Sequence, residues 1–510
     1  MSTTRASKAS SSCVLIAVIV ILLSLVRVRN SHGERRKRIG IRVISQEDAR
    51  KRLDAVFGDI GRTIATYESL ERIETQARRI AAGKYIIDAV KVLSIFTFGA
   101  VGNGSHDDGP ALERALVAAK IYDSKVMVHL PAGHRYFIGA PILISEISNV
   151  ELRIDGIVLA PRELYQRSGN YQQAMSPEQE RMQFAFFTFA HAKNFTLSGA
   201  GEIDGRGKRW WRMRKRNPRE KAPVLILFRD SYDIIIRHLE LHHSPFYHLV
   251  LLRTHHVLID RLQIYSPSSS INTDGIDILE SSEINIHNCW ISTGDDNLAI
   301  KEGSSRVYVR GGFFFRGHGL SIGSLGEGGT TASVKHVYLA NVTFIRTTNA
   351  ARIKTWQGGQ GAVKNITFTH LYVAGVSYPI VIDQFYCPQS QHPGMCSNSS
   401  YAVKVSDVQI LHIAGWHTSG VAASLHCSHA LPCTITLEDL HLRSAPGCSN
   451  VVRCLNVRTR PLSSIHSSSS SSSSLSNACQ HGDEMHGYRL DLTRKERRRL
   501  AANFSCIHPP

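Results

Sequence analysis

Short segments in which apolar and polar residues alternate recur along the chain from about Lys91 onward. Alternation with a period of two is typical of β-strands that bury one face. Ten such segments begin at Glu151, Phe195, Ile234, Val257, Ile284, Val307, Val337, Ile366, Val408 and Ile435. From Val257 onward, the first four spacings between segment starts are 27, 23, 30 and 29 residues. A strand signal that repeats at such intervals predicts a solenoid.

The solenoid that fits this repeat is a single-stranded parallel β-helix. Each coil of such a fold buries its apolar face against the next coil. A β-propeller repeats at about 40 to 45 residues, which is longer than the spacing observed. A β-sandwich does not account for so many units. We therefore predict an all-β fold.

Two further segments are predicted to be helical. From about Ile39 to Val90, good helix formers and spaced apolar residues indicate either a stem or an ordinary amphipathic pairing helix. The segment from Asp108 to Glu113 predicts a helix that caps the N-terminal end of the coil, with Asp108 as its N-cap and Pro110 in its first turn. We therefore give Asp107 and Asp108 structural roles.

The N-terminal apolar run from Val14 to Val26 is shorter than the roughly 20 residues of a membrane span. It suits a signal-peptide core or a short signal anchor. Arg27 and the basic residues at 35–38 follow it in place of a small-residue cleavage site. We expect an uncleaved anchor, although cleavage remains open.

These patterns divide the chain into four parts. Residues 1–38 are the signal or anchor with its basic flank, and residues 39–90 are the helical stem. Residues 91–455 are the β-helix, and residues 456–510 are a tail that holds cysteines and a serine-rich insertion. The insertion contains the run Ser467 to Ser474, which cannot bury a core.

The formal net charge of +18 is concentrated at the two ends of the chain. It divides into +9 for residues 1–100, +4 for residues 101–450 and +5 for residues 451–510. The central region is thus only mildly basic, and it has no stripe of basic and aromatic residues like that of RNA-binding proteins. We therefore expect no nucleic-acid partner.

Eight of the ten cysteines lie between Cys387 and Cys506. Such clustering after an export signal predicts disulfides. Cys387/Cys396 and Cys427/Cys433 are close enough for local pairs, whereas the pairing of the other four remains open. Cys289 is expected to be a buried free thiol, and no spacing fits structural zinc. Asn-x-Ser/Thr sites begin at Asn103, Asn194, Asn341, Asn365, Asn398 and Asn503.

Polar residues that could take part in catalysis recur about one coil apart along the chain. Asp274 and Asp296 are separated by 22 residues, and so are Asp296 and His318. If 22 residues form one coil, these side chains meet with the adjacent Asp295. Glycoside hydrolysis needs a carboxylic acid and a carboxylate, and neighbouring negative charges raise the pKa of one carboxyl so that it holds a proton. Each aspartate alone is more typical of a turn, but the joint pattern favours acid/base hydrolysis.

Four short motifs resemble those of the polygalacturonases, glycoside hydrolase family 28, in the same order and at similar spacing. They are Asn272-Thr-Asp-Gly275, Gly294-Asp-Asp296, Gly317-His-Gly319 and Arg352-Ile-Lys354. The sequence around these motifs resembles the plant-type branch of the family. Examples are Phe98-Gly-Ala-Val-Gly-Asn-Gly104, Gly319-Leu-Ser-Ile-Gly-Ser-Leu325 and Ile382-Asp-Gln-Phe-Tyr-Cys387. The resemblance covers residues 91–455 and implies a right-handed β-helix that hydrolyses α-1,4 bonds between galacturonate units of pectin.

The resemblance also implies a role for each motif residue. Asp295 would be the general acid, while Asp274 and Asp296 would hold and deprotonate the water. His318 would hydrogen-bond within this cluster. Inversion of the anomeric carbon would require a separation of about 6.5 to 9.5 Å between acid and base.

The resemblance further implies the substrate contacts. Arg352 and Lys354 would bind a galacturonate carboxylate beside the scissile bond. Tyr386 and Asn272 would contact the substrate. No metal or cofactor is implied. The partner would be an acidic polysaccharide, the protein a monomer, and its location the secretory pathway and then the cell wall, with the membrane touched only by the N-terminal segment.

The chain departs from the family pattern at two linked positions. The plant-type motif usually continues Gly-Asp-Asp-Cys and pairs that cysteine with another one four residues before the motif histidine. Asn297 and Phe314 occupy these positions here. We interpret this as the loss of one disulfide, with a cost to local rigidity of about a few kcal/mol.

A basic cluster from Arg206 to Lys221 holds nine basic residues and one acid, with Trp210 and Trp211 among them. It is either a solvated loop or a rim that attracts a polyanionic substrate. Three other functions remain as alternatives: a glycosidase acting on rhamnogalacturonan or xylogalacturonan, a calcium-dependent pectate lyase, and a non-catalytic pectin-binding protein of the cell wall.

Overall fold

The computed structural model describes residues 26–29, 40–43, 91–162, 184–218, 220–387, 397–445 and 450–459. The chain separates into two units, Met1–Val90 and Lys91–Pro510. In the first unit, strands β1 (Val26–Arg29) and β2 (Gly40–Val43) form an antiparallel pair. The helix predicted from about Ile39 is therefore wrong at its start, where β-branched Ile41 and Val43 favour extended backbone.

Several predictions fall outside the described residues. They are the apolar run before Val26, the rest of the stem, the serine run and the C-terminal tail. Neither α-helix among the described residues combines the length and apolar character that a membrane crossing requires.

The second unit is built from strands β3 to β31, and all pairings between them are parallel. The strands are β3 (Lys91–Ser94), β4 (Asn103–Asp107), β5 (Val126–Leu130), β6 (Arg135–Phe137), β7 (Ile142–Ser145), β8 (Val150–Ile154), β9 (Ile157–Leu159), β10 (Ala185–Ala190), β11 (Lys193–Ser198), β12 (Glu202–Asp204), β13 (Val224–Arg237), β14 (Glu240–His242), β15 (Leu249–Asp260), β16 (Gln263–Tyr265), β17 (Ile276–Leu279), β18 (Ser282–Ser292), β19 (Leu298–Ile300), β20 (Ser305–Phe315), β21 (Leu320–Leu325), β22 (Thr331–Ala340), β23 (Thr343–Ile345), β24 (Asn349–Thr355), β25 (Gln360–Val376), β26 (Tyr378–Asp383), β27 (Lys404–His417), β28 (Val421–His426), β29 (Cys433–Ser444), β30 (Val451–Leu455) and β31 (Val457–Thr459).

Strand pairing converts this order into a parallel β-helix, as predicted. Each coil contributes to three stacks of strands, and the long strands turn a corner and serve two stacks. The first stack runs from β7 through β10 and the beginnings of β13 and β15 to β17, β19, β21, β24, β26, β28 and β30. The second stack contains all ten alternating segments identified from the sequence.

The interior is filled by columns of apolar side chains, one from each coil. In the second stack, Ile259, Ile286 and Val309 occupy successive register positions and are almost completely buried. Complete burial of one such side chain contributes about 1.5–3 kcal/mol. Stacking of like positions thus stabilises the coil and fixes its register.

Two α-helices pack on this coil. Helix α1 (Gly109–Ala119) lies against β3, β5 and β7, and helix α2 (Lys208–Arg216) follows β12. Two 3₁₀ turns, Ile95–Phe98 and Glu327–Gly329, complete the helical structure of the described residues.

The start of α1 is placed as predicted, but the roles of its two aspartates differ from the expectation. Asp108 occupies the N-cap position, but its carboxylate accepts hydrogen bonds from the amides of Val101 (2.7 Å) and Gly102 (3.1 Å). Asp107 instead accepts the bond from the first helical amide, that of Gly109, at 2.9 Å. Both carboxylates hold backbone amides, and Asp108 ties the preceding loop to the helix.

One of the two local disulfides expected from the sequence lies entirely within the described residues, and it is present. Cys427 and Cys433 form a disulfide. Cys387 and Cys454 are also disulfide-bonded. Cys289 is a buried free thiol.

Candidate active site

The predicted site residues lie on successive coils along the first stack: the carboxylates and the imidazole in turns before strands, Arg352 and Lys354 within β24, and Tyr386 after β26. Ile276 pairs with Leu298 and Leu298 with Leu320, so the 22-residue interval is one coil. The turns that carry the carboxylates and the imidazole precede these strands and are linked by backbone bonds. The Gly275 amide donates to the Asp296 carbonyl at 2.9 Å, and the His318 amide donates to the Asp295 carbonyl at 2.9 Å.

The two glycines that flank His318 are required by the stacking of these turns. Gly317 and Gly319 have φ values of 67° and 79°, in the left-handed region. A Cβ at Gly319 would lie 2.0 Å from the carbonyl oxygen of Asn349 on the next coil. The Gly-His-Gly motif therefore lets the turn pack closely while it presents the imidazole.

Asp295 is held at both carboxylate oxygens. Its Oδ1 accepts hydrogen bonds from Nδ1 of His318 (2.9 Å) and from the amide of Asp296 (2.9 Å). Its Oδ2 accepts a bond from Nδ2 of Asn272 at 3.2 Å. Its side chain is 22% exposed, whereas that of Asp296 is 2% exposed. Asp295 is thus the carboxylate of this adjacent pair that a ligand can reach.

Asp296 lies beneath the surface between two cations. Arg352 donates from Nη2 to Oδ1, and Lys354 donates from Nζ to Oδ2 at 2.9 Å. Ser321 also donates to Oδ1, at 2.9 Å, and accepts a bond from Nε of Arg352 at 2.8 Å. The cations predicted to bind a substrate carboxylate therefore already bind Asp296. Among the described residues, Nη1 of Arg352 has no partner.

Asp274 is the most isolated carboxyl of the site. The residue is 4% exposed, and its Oδ1 has no hydrogen-bond partner among the described residues. Burial, followed by the charges of Asp295, Asp277 and Asp296, raises its pKa well above the usual value. Asp274 therefore holds a proton more readily than its neighbours.

The other two carboxylates have the opposite tendency. Burial would raise the pKa of Asp295, but the hydrogen bond and charge of His318 outweigh burial and lower it. Burial would likewise raise the pKa of Asp296, but Arg352 and Lys354 hold it well below its usual range. In the free protein the raised pKa therefore belongs to Asp274 and not to Asp295, the predicted acid.

His318 is charged over a wide pH range. Burial alone would lower its pKa, but its bonds to Asp295 and Asp296 raise it to about 9. Lys354 has a lowered pKa because of burial and the nearby charge of Arg352. Its ammonium group also lies 5.4 Å from the ring centroid of Tyr386, which places that tyrosine beside the cations.

Sequence reasoning missed several residues that shape the site. Ser321 on β21 pairs with Arg352 on β24, one coil later, so the coil pairing could have identified Ser321. Arg214 of α2 donates to Oδ1 of Asn272 at 2.9 Å, and nothing in the sequence links these positions. Lys301 lies 3.5 Å from Asp277, whose charge contributes to the raised pKa of Asp274.

The two tryptophans of the basic cluster are core residues. Trp210 and Trp211 are buried, and Nε1 of Trp211 donates to the Ser244 carbonyl at 2.9 Å. They anchor α2, so they do not form an exposed stacking platform. The cationic side chains on the outer face of α2 are exposed: Lys208, Arg209, Arg212, Lys215 and Arg216.

Asn297 and Phe314, where the family pattern has cysteines, are both buried. Nδ2 of Asn297 donates to the Ile291 carbonyl (3.1 Å) and to Oγ1 of Thr293 (3.2 Å), while its Oδ1 accepts from the Gly319 amide at 2.8 Å. Phe314 packs edge-to-face against Phe344. The three hydrogen bonds of the Asn297 side chain, which we call the amide bracket, and the aromatic contact of Phe314 therefore take the places of the two cysteines.

Asp295, Asp296 and His318 offer three potential ligand atoms within 4.8 Å of one another. Two cations already bind Asp296, and their charge opposes a metal ion at this position. The arrangement suits hydrogen bonding and proton transfer better than coordination. The same limit places an oxygen of Asp295 closer to one of Asp296 than the about 6.5 to 9.5 Å expected for an inverting pair, so the spacing of these two oxygens does not itself support inversion.

Comparison with known proteins identifies a family for this arrangement. Residues 148–469 match the family model described as glycosyl hydrolases family 28. A polygalacturonase of Cryptomeria japonica is 33% identical over 407 residues, which is 78% of this chain and 74% of that protein.

Two solved structures share the fold. An endo-xylogalacturonan hydrolase from Aspergillus tubingensis has a TM-score of 0.62 at 24% identity, over 72% of this chain and 96% of that one. A polygalacturonase from Erwinia carotovora has a TM-score of 0.58 at 23% identity, over 73% of this chain and 97% of that one. At these identities, the likeness shows a common β-helix and nothing about substrate.

Proposed function

We propose that this protein, which belongs to the glycosyl hydrolases of family 28, hydrolyses the α-1,4-glycosidic bonds between galacturonate units of polygalacturonan in pectin. One observation carries the proposal: charged hydrogen bonds link His318 to Asp295, and link Arg352 and Lys354 to the adjacent Asp296. Carboxyl groups supply the acid and base of glycoside hydrolysis, and cations suit a substrate that carries carboxylates. The relative named polygalacturonase supports the same substrate.

Asp295 is the proposed proton donor because its carboxyl is the exposed one of the adjacent pair. Asp296, held ionised by two cations, is the proposed base that takes the proton of the attacking water. We assign the otherwise unpartnered Oδ1 of Asp274 to holding that water. His318 supports the charge on Asp295.

Substrate binding would use the same two cations that hold Asp296. Arg352 retains Nη1 for a galacturonate carboxylate, and Lys354 has an ammonium group with three donors. Tyr386, beside Lys354, and Asn272, beside Asp295, would contact the sugar.

A reducing-end assay on polygalacturonate tests the reaction. We expect wild type to release reducing ends with and without chelator, and Asp295→Asn to lose about 10²- to 10⁴-fold in rate. Asp260→Asn is the matched control, because Asp260 pairs with Arg261 outside the cluster. Chelator-sensitive products that absorb in the ultraviolet would instead indicate a lyase, and binding without cleavage would indicate a pectin-binding protein.

The stereochemical outcome tests the proposed inversion. Proton NMR of the first products should show the β-anomer at the new reducing end. Initial formation of the α-anomer would mean that Asp295 and Asp296 act at the shorter separation of a retaining pair.

The outer face of α2 is proposed as a rim that concentrates the polyanionic substrate. Arg214 of the same helix contacts Asn272, so α2 borders the carboxylate cluster. Neutralising Lys208, Arg212 and Lys215 should raise KM for polygalacturonate and flatten its salt dependence, with kcat retained.

A matched variant separates the rim from total charge. Lys335, Lys364 and Lys404 lie on the second stack and are exposed. Their neutralisation removes the same charge and should leave KM unchanged. Equal effects of the two triple variants, or none from either, would eliminate the rim.

The remaining expectations are also proposals. We propose a right-handed β-helix, with α1 covering its N-terminal opening and the part of residues 39–90 that follows β2 forming the predicted helical stem. The five Asn-x-Ser/Thr asparagines among the described residues are exposed and Cys427 is disulfide-bonded, which supports export to the cell wall, free or anchored by the N-terminus. Glycosidase-induced mobility shifts would test export, and light scattering would test the proposed monomer.

A further inference from the structure

Arg214 is the cationic residue of α2 that turns inward. The residue is 8% exposed, and its guanidinium carbon lies 4.4 Å from the ring centroid of Phe246. Phe246 in turn stacks on Tyr247, with centroids 3.9 Å apart. An arginine held against an aromatic ring in this way has few alternative orientations.

A chain of hydrogen bonds joins Arg214 to the proposed acid. Nη2 of Arg214 donates to Oδ1 of Asn272 at 2.9 Å, and Nδ2 of Asn272 donates to Oδ2 of Asp295 at 3.2 Å. A guanidinium can only donate, so the oxygen of the Asn272 amide must face Arg214. The amide nitrogen is thereby directed at Asp295 whether that carboxyl is ionised or protonated.

We propose that Arg214 is a positioning residue for the reaction, which fixes the Asn272 amide and, through it, the plane of the Asp295 carboxyl. Oδ1 of that carboxyl is held by His318 and by the Asp296 amide. Oδ2 gives one lone pair to Asn272 and retains the other for the proton that is transferred. A carboxyl fixed at both oxygens delivers its proton in one direction.

The same arrangement gives Arg214 an effect of known sign. Its charge and the hydrogen bond from Asn272 both favour the ionised form of Asp295. Removing Arg214 weakens both effects, so the pKa of Asp295 should increase. If Asp295 is the acid, the alkaline limb of the kcat profile should move to higher pH.

The test compares three variants across pH. Arg214→Met should lower kcat about ten-fold, which corresponds to one lost hydrogen bond to a charged group, and should move the alkaline limb upward. Arg214→Lys keeps the charge and should restore most of the limb position. Arg310→Met is the control, because Arg310 also lies over an aromatic ring (Tyr338, 5.6 Å) but has no bond to the carboxylate cluster.

A double-mutant cycle tests the route through Asn272. Asn272 has a φ of 49°, so Asn272→Gly removes its amide without straining the left-handed backbone. If Arg214 acts through Asn272, adding Arg214→Met to Asn272→Gly should change kcat little further. Additive losses, or an alkaline limb that stays in place in Arg214→Met, would show that Arg214 only supports the helix.

This inference rests on the proposed hydrolysis, and the two can fail separately. A wild-type protein that releases no reducing ends would refute the proposed function. An active wild type whose Arg214→Met profile keeps its shape would refute the positioning role alone. The pH of the limb does not depend on how much of a variant is folded, so partial unfolding cannot imitate the expected result.

Discussion

Replacing Asn297 tests whether an amide bracket has taken over from a disulfide. Asn297 is completely buried and makes three hydrogen bonds: two to the turn at Ile291 and Thr293, and one from the Gly319 amide. Each contributes about 1 kcal/mol, and a buried amide left without an acceptor costs about 1–3 kcal/mol. We therefore expect Asn297→Ala to lose about 3 kcal/mol of unfolding free energy.

Thermal unfolding is the direct measurement, and a loss of this size should lower Tm by about 5 °C. The freed turn carries His318, so kcat should decrease as well. The matched control is Asn285→Ala, because Asn285 is half-buried on β18 and its side chain makes no hydrogen bond among the described residues. This control should stay within about 0.5 kcal/mol of wild type. Equal stability of the two variants would refute the bracket.

Restoring the two cysteines should not restore stability. A disulfide typically contributes about 2–4 kcal/mol, but the double substitution removes both the Asn297 bonds and the Phe314 side chain. Phe314 is 1% exposed, and truncating a buried phenylalanine costs about 3–5 kcal/mol. The oxidised double variant should therefore be less stable than wild type. A double variant more stable than wild type would show that the disulfide stabilises this site more than the amide bracket does.

Two further predictions concern the charges of the site. The pKa of His318 rises from about 6.5 in the unfolded chain to about 9 in the fold. Its charge therefore stabilises the fold fully below about pH 6.5, and this stabilisation is lost as pH increases through about 9. The Tm difference between wild type and His318→Gln should shrink over that interval, and a constant difference would contradict the assignment. Lys354→Met removes a cation from buried Asp296, so the acid limb of kcat/KM should move to higher pH, whereas Lys364→Met, which affects an exposed pair with Asp407, should leave it in place.

The sequence predicted the coil through only one of its three stacks. All ten alternating segments belong to the second stack, where one face is apolar and the other faces solvent. The strands of the first stack that carry the site are buried on both faces, as in β17 and β19. A strand buried on both faces loses its alternation, so these strands could be placed only by the spacing of their motifs.

Helix α2 shows a second limit of sequence reasoning. Its composition is dominated by cations, yet Trp210 belongs to a small core that lies outside the main one, and Trp211 is buried as well. Sequence alone does not reveal which residues cover the outer surface of a β-helix. For the same reason the contact of Arg214 with Asn272, 58 positions apart, could not be predicted.

Proton placement was the least predictable property of the site. Asp274, Asp295 and Asp296 look alike in sequence, and a raised pKa was expected for one of them. The choice depends on which carboxyl receives the cations: Asp296 takes Arg352 and Lys354, Asp295 takes His318, and Asp274 takes none of these.

Substrate binding can reconcile this placement with Asp295 as the acid. In the free site, Arg352, Lys354 and His318 face the ionised Asp295 and Asp296, so one positive charge is in excess while Asp274 keeps its proton. A galacturonate carboxylate bound to Arg352 and Lys354 cancels that excess and adds negative charge near Asp295, which raises its pKa. The acid would then be formed by binding, and its pKa should be higher in the complex than in the free enzyme. The kcat profile reports the complex and the kcat/KM profile the free enzyme, so the alkaline limb of kcat should lie at the higher pH; coincident limbs would mean that the proton on the acid is in place before substrate arrives.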